Sequence, residues 1–257
     1  MDLETNGLRG TSVLSASSIV FSENGRIIDF FHRYYLPMET PDRSAFRVHG
    51  LNPERIMWLR HGSEYPAFFS DDWESLTQFW KGNCADRICV HNLAFDISFI
   101  PYHGIKDFSW WCSMLGLTDY CALPGKKGRA KWPKLAEAKK KILETMSPPS
   151  ETLRNEGEIG LQLCHNSLSD CLDLYSILSR VIHQRPEIPD FRPVKNRSVL
   201  KGSGYYSHVP ETCDPDGFVR DNLELTMKMA EITGNHRVAG KIRSFIADRF
   251  IFSPFEE

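Results

Sequence analysis

A chain of 257 residues with a net charge of -2, 41% hydrophobic and 25% charged residues has ordinary globular composition, with room for one sizeable domain plus an extension or for two small domains. The near-neutral charge excludes blanket affinity for nucleic acid, and no apolar run approaches the roughly 18 residues of a membrane span, so a soluble, cytoplasmic protein without a membrane partner is expected. The seven cysteines are odd in number and contain no C-x-x-C pair, which reads as reduced, mostly buried small residues rather than zinc ligands or a disulfide frame.

The chain opens with Met1-Asp2-Leu3-Glu4-Thr5-Asn6-Gly7-Leu8. Side chains alternate along an extended segment, so Asp2 and Glu4 share one face, and Thr5-Asn6-Gly7 supplies turn chemistry. Two neighbouring carboxylates repel and need a cation or a shared proton, unless they are simply a solvated chain start. Residues 12–22 read as a second strand, Glu23-Asn24-Gly25 as a hairpin turn, and 27–36 as a third strand ended by Pro37. Trp73, Leu76, Phe79 and Trp80 predict a helix over 72–80, with Asp71 or Asp72 as its cap. Residues 87–91 form a short buried strand, 92–100 a helical segment, 108–112 a fifth strand and 114–121 a short helix. Two longer helices are expected over 132–146 and 167–183, and 147–160 read as an exposed loop. A meander of three strands followed by alternating helices and strands indicates an α/β domain with a mixed sheet. Pro186, Pro189 and Pro193 mark a change of regime, giving a domain over 1–185, a linker and irregular segment over 186–218, and an extension over 219–257 with helices at 219–232 and 237–252.

Further polar residues cluster at element ends. Asp96 lies one helical turn past Asn92, where the fourth strand feeds its helix. His165 and Asp170 are five apart, with Ser167 placed to cap the helix between them. Each of these acids can also be an ordinary helix-start residue favoured by the helix dipole. The run Lys126-Lys127-Gly128-Arg129-Ala130-Lys131-Trp132-Pro133-Lys134 is strongly basic in a slightly acidic chain. It is either a solvated face or a guide for a phosphate backbone, with Trp132 either anchoring the helix to the core or stacking on a base.

Asp2-x-Glu4-Thr5, His91-Asn92-x-x-Phe95-Asp96 and His165 with Asp170 resemble the three motifs of the DEDDh 3′-to-5′ exonucleases, the DnaQ-like group. Val48-His49-Gly50-Leu51 fits the same pattern, and the resemblance covers residues 1–183 in order. It implies a ribonuclease H-like mixed five-stranded sheet flanked by helices, followed by the C-terminal helical extension. It also implies hydrolysis of phosphodiester bonds at the 3′ ends of single-stranded DNA or RNA, releasing 5′-mononucleotides. Such chemistry uses two divalent cations about 3.5 to 4 Å apart, and hard oxygen ligands select Mg²⁺ or Mn²⁺. By resemblance Asp2 bridges both ions, Glu4, Asp96 and Asp170 complete the ligand set, and His165 is the general base. Thr5 and Leu8 are then expected to hold the terminal nucleotide, Asn92 and His49 to shape its pocket, and Lys126, Lys127 and Arg129 to contact phosphates. In the family the first strand begins several residues earlier, so either an upstream start or another segment is expected to complete it. An apolar five- or six-residue strand added before Met1 is then expected to raise metal-dependent activity. A protein that keeps the fold but binds without cleaving is the competing expectation.

Overall fold

The computed structural model describes residues 1–8, 10–163, 165–194 and 215–250. Three antiparallel strands open the chain: β1 (Asp2–Thr5), β2 (Val13–Phe21) and β3 (Ile27–Tyr34), in the order β1-β2-β3. The register sets Asp2 opposite Ser17 and Glu4 opposite Ser15. Gly25, at φ +84°, closes the hairpin between β2 and β3, donating its N–H to the Ser22 carbonyl at 2.9 Å.

Two short helices follow, α1 (Arg43–His49) and α2 (Pro53–Leu59), in a region where periodicity predicts no helix. Their start signals are local: the Asp42 carboxylate accepts from the Ser44 and Ala45 N–H groups, and the Asn52 side chain accepts from Arg55 N just before Pro53. Helix α3 (Trp73–Gly82) leads to β4 (Arg87–Val90), α4 (Leu93–Asp96) and α5 (Tyr102–Ile105). Next come β5 (Ser109–Cys112), α6 (Ser113–Gly116), α7 (Thr118–Cys121), α8 (Leu135–Thr145), α9 (Ser150–Ile159) and α10 (Ser167–Gln184). A two-residue strand β6 (Arg192–Pro193) precedes α11 (Pro215–Ile232) and α12 (His236–Phe250).

The result is a mixed α/β architecture whose strands form two sheets of three, β1-β2-β3 and β4-β5-β6, rather than the expected single sheet of five. β4 and β5 are parallel, and β6 lies antiparallel to β5, so part of the proline-rich stretch expected as linker is laid along a sheet edge. The two sheets meet where the Met1 ammonium donates to the Cys89 carbonyl of β4 at 3.0 Å. The next donor on that edge, Leu3 N–H, is taken by the Asp96 carboxylate at 3.0 Å. A side chain thus occupies the donor that a continued ladder would use.

Helix α10 is buried around most of its circumference, as a helix enclosed by other elements should be. Leu168, Leu172 and Tyr175 pack with Ile27 and Ile159, while Leu174, Ile177, Leu178 and Val181 pack with Trp111 and Ile142. Under β4 and β5, fully buried Trp80 meets Phe108 and Trp110 edge to face and donates its indole N–H to Ser18 Oγ at 2.9 Å. Cys89, Cys121 and Cys171 are buried as expected, whereas Cys84 is exposed; Cys164 and Cys213 lie outside the described residues.

Three local expectations are corrected. Residues 147–160 are largely helix α9, started by Pro149 and ended by Gly160 at φ +56°, and the face turned inward carries Thr152, Asn155 and Ile159. The cap of α10 is Asn166, whose side-chain oxygen accepts from the Leu168 and Ser169 N–H groups; Ser167 Oγ instead lies 2.8 Å from Ser15 Oγ and 2.6 Å from Ser17 Oγ. Asp72 precedes α3 without capping its backbone, because its carboxylate is held by Arg33 at 2.6 Å and by the Tyr35 hydroxyl at 2.8 Å. In the extension, α11 begins at Pro215, four residues before the expected start, and residues 195–214 and 251–257 lie outside the described residues. Val219 and Leu223 of α11 pack with Leu14, Tyr34 and Leu51, and Leu225 and Met229 with Leu168 and Leu172.

Candidate active site

β1 and α10 cross so that the side chains of Asp2, Glu4 and Asp170 converge. One ligand-capable oxygen from each lies within 4.8 Å of the others. The i, i+2 spacing puts Asp2 and Glu4 on one face of β1, and Asp170 comes from the first turn of α10. Asp96, at the end of α4, lies outside that 4.8 Å set but beside it. Its carboxylate accepts the N–H of Leu3, the residue between the two β1 acids, and is 2% exposed.

Electrostatics make this arrangement costly as it stands. Two unit charges at 4.8 Å repel by about 3.5 kcal/mol at an effective dielectric of about 20. Burial first, and then the field of neighbouring acids, raises the carboxyls of Asp2, Glu4 and Asp170 well above the ordinary carboxylate range. Burial likewise pushes Asp96 up to about 8, against the pull of the Met1 ammonium and the Leu3 N–H. Converging carboxylates whose ionisation is opposed by burial and by one another are suited to taking a cation, which offsets that repulsion. The donors are all hard oxygens with no sulfur and no nitrogen in the set, which fits Mg²⁺ or Mn²⁺ better than zinc.

His165 precedes the capping residue of α10, has a left-handed backbone (φ +49°) and is half-buried. Burial and then the Lys134 ammonium lower its pKa, so the imidazole is neutral near pH 7 and able to accept a proton. His49 lies close enough to feel the field of His165. Its Nδ1 accepts from Leu51 N–H at 3.0 Å, which leaves the hydrogen on Nε2 to donate to the Thr5 carbonyl at 3.1 Å. Burial pushes His49 down to about 4, and its neutral ring braces the end of β1 from within the core. Thr5 is itself buried, its hydroxyl donating to the Gly7 carbonyl at 2.6 Å, and Leu8 beyond the turn is 63% exposed. Asn92 opens α4 with a left-handed backbone (φ +70°), and its side-chain oxygen is buried without a hydrogen-bond partner among the described residues. Lys126, Lys127 and Arg129 are exposed on the segment before α8 and are not among the residues that converge at the cluster.

One contributor carries no signal in the sequence. Asn222 of α11 accepts from the Tyr34 hydroxyl at 2.8 Å and from the Asn166 side chain at 2.6 Å. It thereby ties the C-terminal extension to the cap of the helix that bears Asp170. Its partners are far away in sequence, and no local pattern marks an asparagine that reaches across the fold.

Fold and site together define an α/β chain with a buried carboxylate cluster where a strand edge meets a helix start. No protein-family model matches the chain, and no curated protein matches it. Among solved structures it is similar to Exonuclease X, described in complex with 5′-overhanging duplex DNA, at 18% identity and a TM-score of 0.48, over 72% of this chain and 90% of that one.

Proposed function

We propose that this chain is a two-metal-ion 3′-to-5′ exonuclease of ribonuclease H-like fold, acting on the 3′ ends of single-stranded DNA or RNA and releasing 5′-mononucleotides. The observation that carries the reading is the convergence of Asp2, Glu4 and Asp170 within 4.8 Å, with Asp96 fixed beside them by Leu3 N–H. In this reading Asp2, Glu4, Asp96 and Asp170 hold two Mg²⁺ or Mn²⁺ ions. Once bound, these ions supply Lewis-acid activation of water and charge neutralisation at the scissile phosphate. His165, kept neutral by burial and Lys134, takes the proton of the attacking water as general base. The Thr5 backbone, fixed by His49, and Leu8 receive the terminal nucleotide, with Asn92 lining the same pocket. Residues 1–185 are the catalytic unit and helices α11 and α12 (Pro215–Ile232 and His236–Phe250) a brace for it, in a cytoplasmic setting suited to reduced cysteines. No helix among the described residues is long and apolar enough to cross a membrane.

The test is Mn²⁺-dependent shortening of 5′-labelled single-stranded DNA, duplex DNA and RNA. The parent is expected to ladder single strands from the 3′ end, Asp2→Ala to abolish this, and His165→Ala to slow it by about 10²- to 10⁴-fold. A parent that binds these strands but degrades none of them overturns the reading in favour of a binding protein that keeps the fold.

A further inference from the structure

The basic segment before α8 is a built hairpin. Pro124 and Ala130 form an antiparallel bridge, and Lys131 N–H donates to the Leu123 carbonyl at 3.0 Å. Lys127 (φ +58°) and Gly128 (φ +71°) reverse the chain at its tip. A Cβ at Gly125 would sit 2.4 Å from the Arg129 carbonyl oxygen and 2.8 Å from Lys131 N, so the turn closes only around glycine there.

This hairpin is pinned to the candidate site on two sides. Pro133 is buried at its base, and its carbonyl accepts from His91 Nε2 at 3.1 Å. His91 directly precedes Asn92, which opens the short helix ending in Asp96. On the other side α8 follows at once, and Lys139 of α8 pairs with Asp173 of α10 at 2.5 Å, one turn beyond Asp170. Lys134, at the hairpin's foot, is near enough to act on His165.

Charge and exposure then separate the roles of the residues. Lys131 and Lys139 are neutralised by Glu137 and Asp173. Lys126, Lys127 and Arg129 are exposed and have no carboxylate within ion-pair distance among the described residues. Trp132 is 48% exposed; the anchoring role that the sequence left open for it is filled by Pro133. Unpaired cations beside an indole that faces water fit a strand of phosphates whose bases are unpaired, since phosphates take the cations and every base offers a face to stack. A duplex keeps its base faces covered and would leave Trp132 unused.

We propose that the 123–134 hairpin guides the single-stranded tail of a nucleic acid toward the carboxylate cluster, with Lys126, Lys127 and Arg129 on phosphates and Trp132 stacked on a base. The direction of the strand rests on the exonuclease reading, whereas the binding does not. The test is fluorescence anisotropy of short 5′-fluorescein oligo-dT and oligo-U, without added metal, over a range of salt. The same variants are assayed in parallel with Mn²⁺ on the p-nitrophenyl ester of thymidine 5′-monophosphate, which has no strand beyond its single nucleotide for the hairpin to hold. The Lys126→Ala, Lys127→Ala, Arg129→Ala triple variant is expected to lower the slope of log affinity against log salt by about 2, from about 0.7 per phosphate contact on single strands. Trp132→Ala is expected to weaken binding about tenfold or more, Trp132→Phe to keep most of it, and blunt duplex to compete poorly. None of these variants is expected to change ester hydrolysis. An unchanged salt slope, Trp132→Ala binding like the parent, or a parent that binds neither oligonucleotide overturns the guide even if the ester is cleaved. Loss of ester cleavage in the parent with the salt slope behaving as stated overturns the nuclease reading and leaves the guide standing.

Discussion

Ser167 is a small residue with a large positional burden. Its hydroxyl meets those of Ser15 and Ser17, all three serines being fully buried, and Ser17 Oγ also lies 2.7 Å from His32 Nδ1. The β1 register puts Ser15 and Ser17 opposite Glu4 and Asp2, so this layer joins the acids' strand to the helix that brings Asp170. Ser167→Val is expected to leave hydroxyls unpaired, to cost about 1–3 kcal/mol in denaturant melts, and to weaken Mn²⁺ binding in calorimetry. A stability loss with unchanged Mn²⁺ affinity would assign the serines to packing alone. Proton linkage gives a second prediction at this scale. Burial raises Asp96 to about 8, so below that pH the metal-free site holds a proton on Asp96 that a cation must displace. Mn²⁺ affinity is expected to climb as pH rises from the ordinary carboxylate range toward about 8, with protons released on binding. Calorimetry in buffers of different ionisation heat measures that release, and a pH-independent affinity would contradict it.

At the scale of elements, the β2–β3 hairpin and α9 are locked together through one glycine. The Gly25 carbonyl accepts from Asn155 Nδ2 at 3.1 Å and from the Tyr175 hydroxyl at 2.5 Å, and a Cβ there would lie 2.4 Å from Thr152 Oγ1. Gly25→Ala therefore combines a positive φ with a clash and is expected to destabilise by about 1–3 kcal/mol, read as a lower denaturation midpoint at unchanged slope. The same contact explains why α9 is hidden from sequence reasoning. Its inner face carries the polar Thr152 and Asn155 beside Ile159, and Asn155 is held by hydrogen bonds, so apolar periodicity does not mark it. By contrast β2, β3, α3, β4, β5 and α10 are legible, the strands as β-branched and aromatic runs bounded by turn residues and the helices from apolar residues at helical spacing. The carboxylate cluster is legible for a related reason: Asp2 and Glu4 obey strand alternation, and Asp170 sits in a helix's first turn. What sequence placed wrongly is the cap of α10, expected at Ser167: the buried hydroxyls across the sheet take the Ser167 side chain, and Asn166 caps instead.

Across the whole molecule, the C-terminal helices are part of the structure around the site. Asn222, Tyr34 and Asn166 form a closed buried hydrogen-bond set joining α11, β3 and the start of α10. Asn222→Leu is expected to cost about 1–3 kcal/mol by stranding the Asn166 and Tyr34 donors. It is also expected to lower metal-dependent turnover while leaving oligonucleotide affinity at the basic hairpin intact. Equal turnover in parent and variant would separate the extension from the chemistry. The two-sheet arrangement belongs to this scale as well, because β1 is held to β4 through Cys89 and Asp96 rather than through a full ladder, a pairing that no local pattern announces.

The asparagine set also fixes which parts of the chain can breathe independently. The amides of Leu168 and Ser169 are protected by the Asn166 oxygen, and Asn166 is oriented by Asn222, so excursions that detach α11 release the first turn of α10 in the same event. In native-state hydrogen exchange these two amides are expected to open with the free energy and denaturant dependence of the α11 amides rather than with those of the rest of α10. Any ligand that clamps α11 would then slow their exchange and, through the same opening unit, quieten the helix turn that carries Asp170.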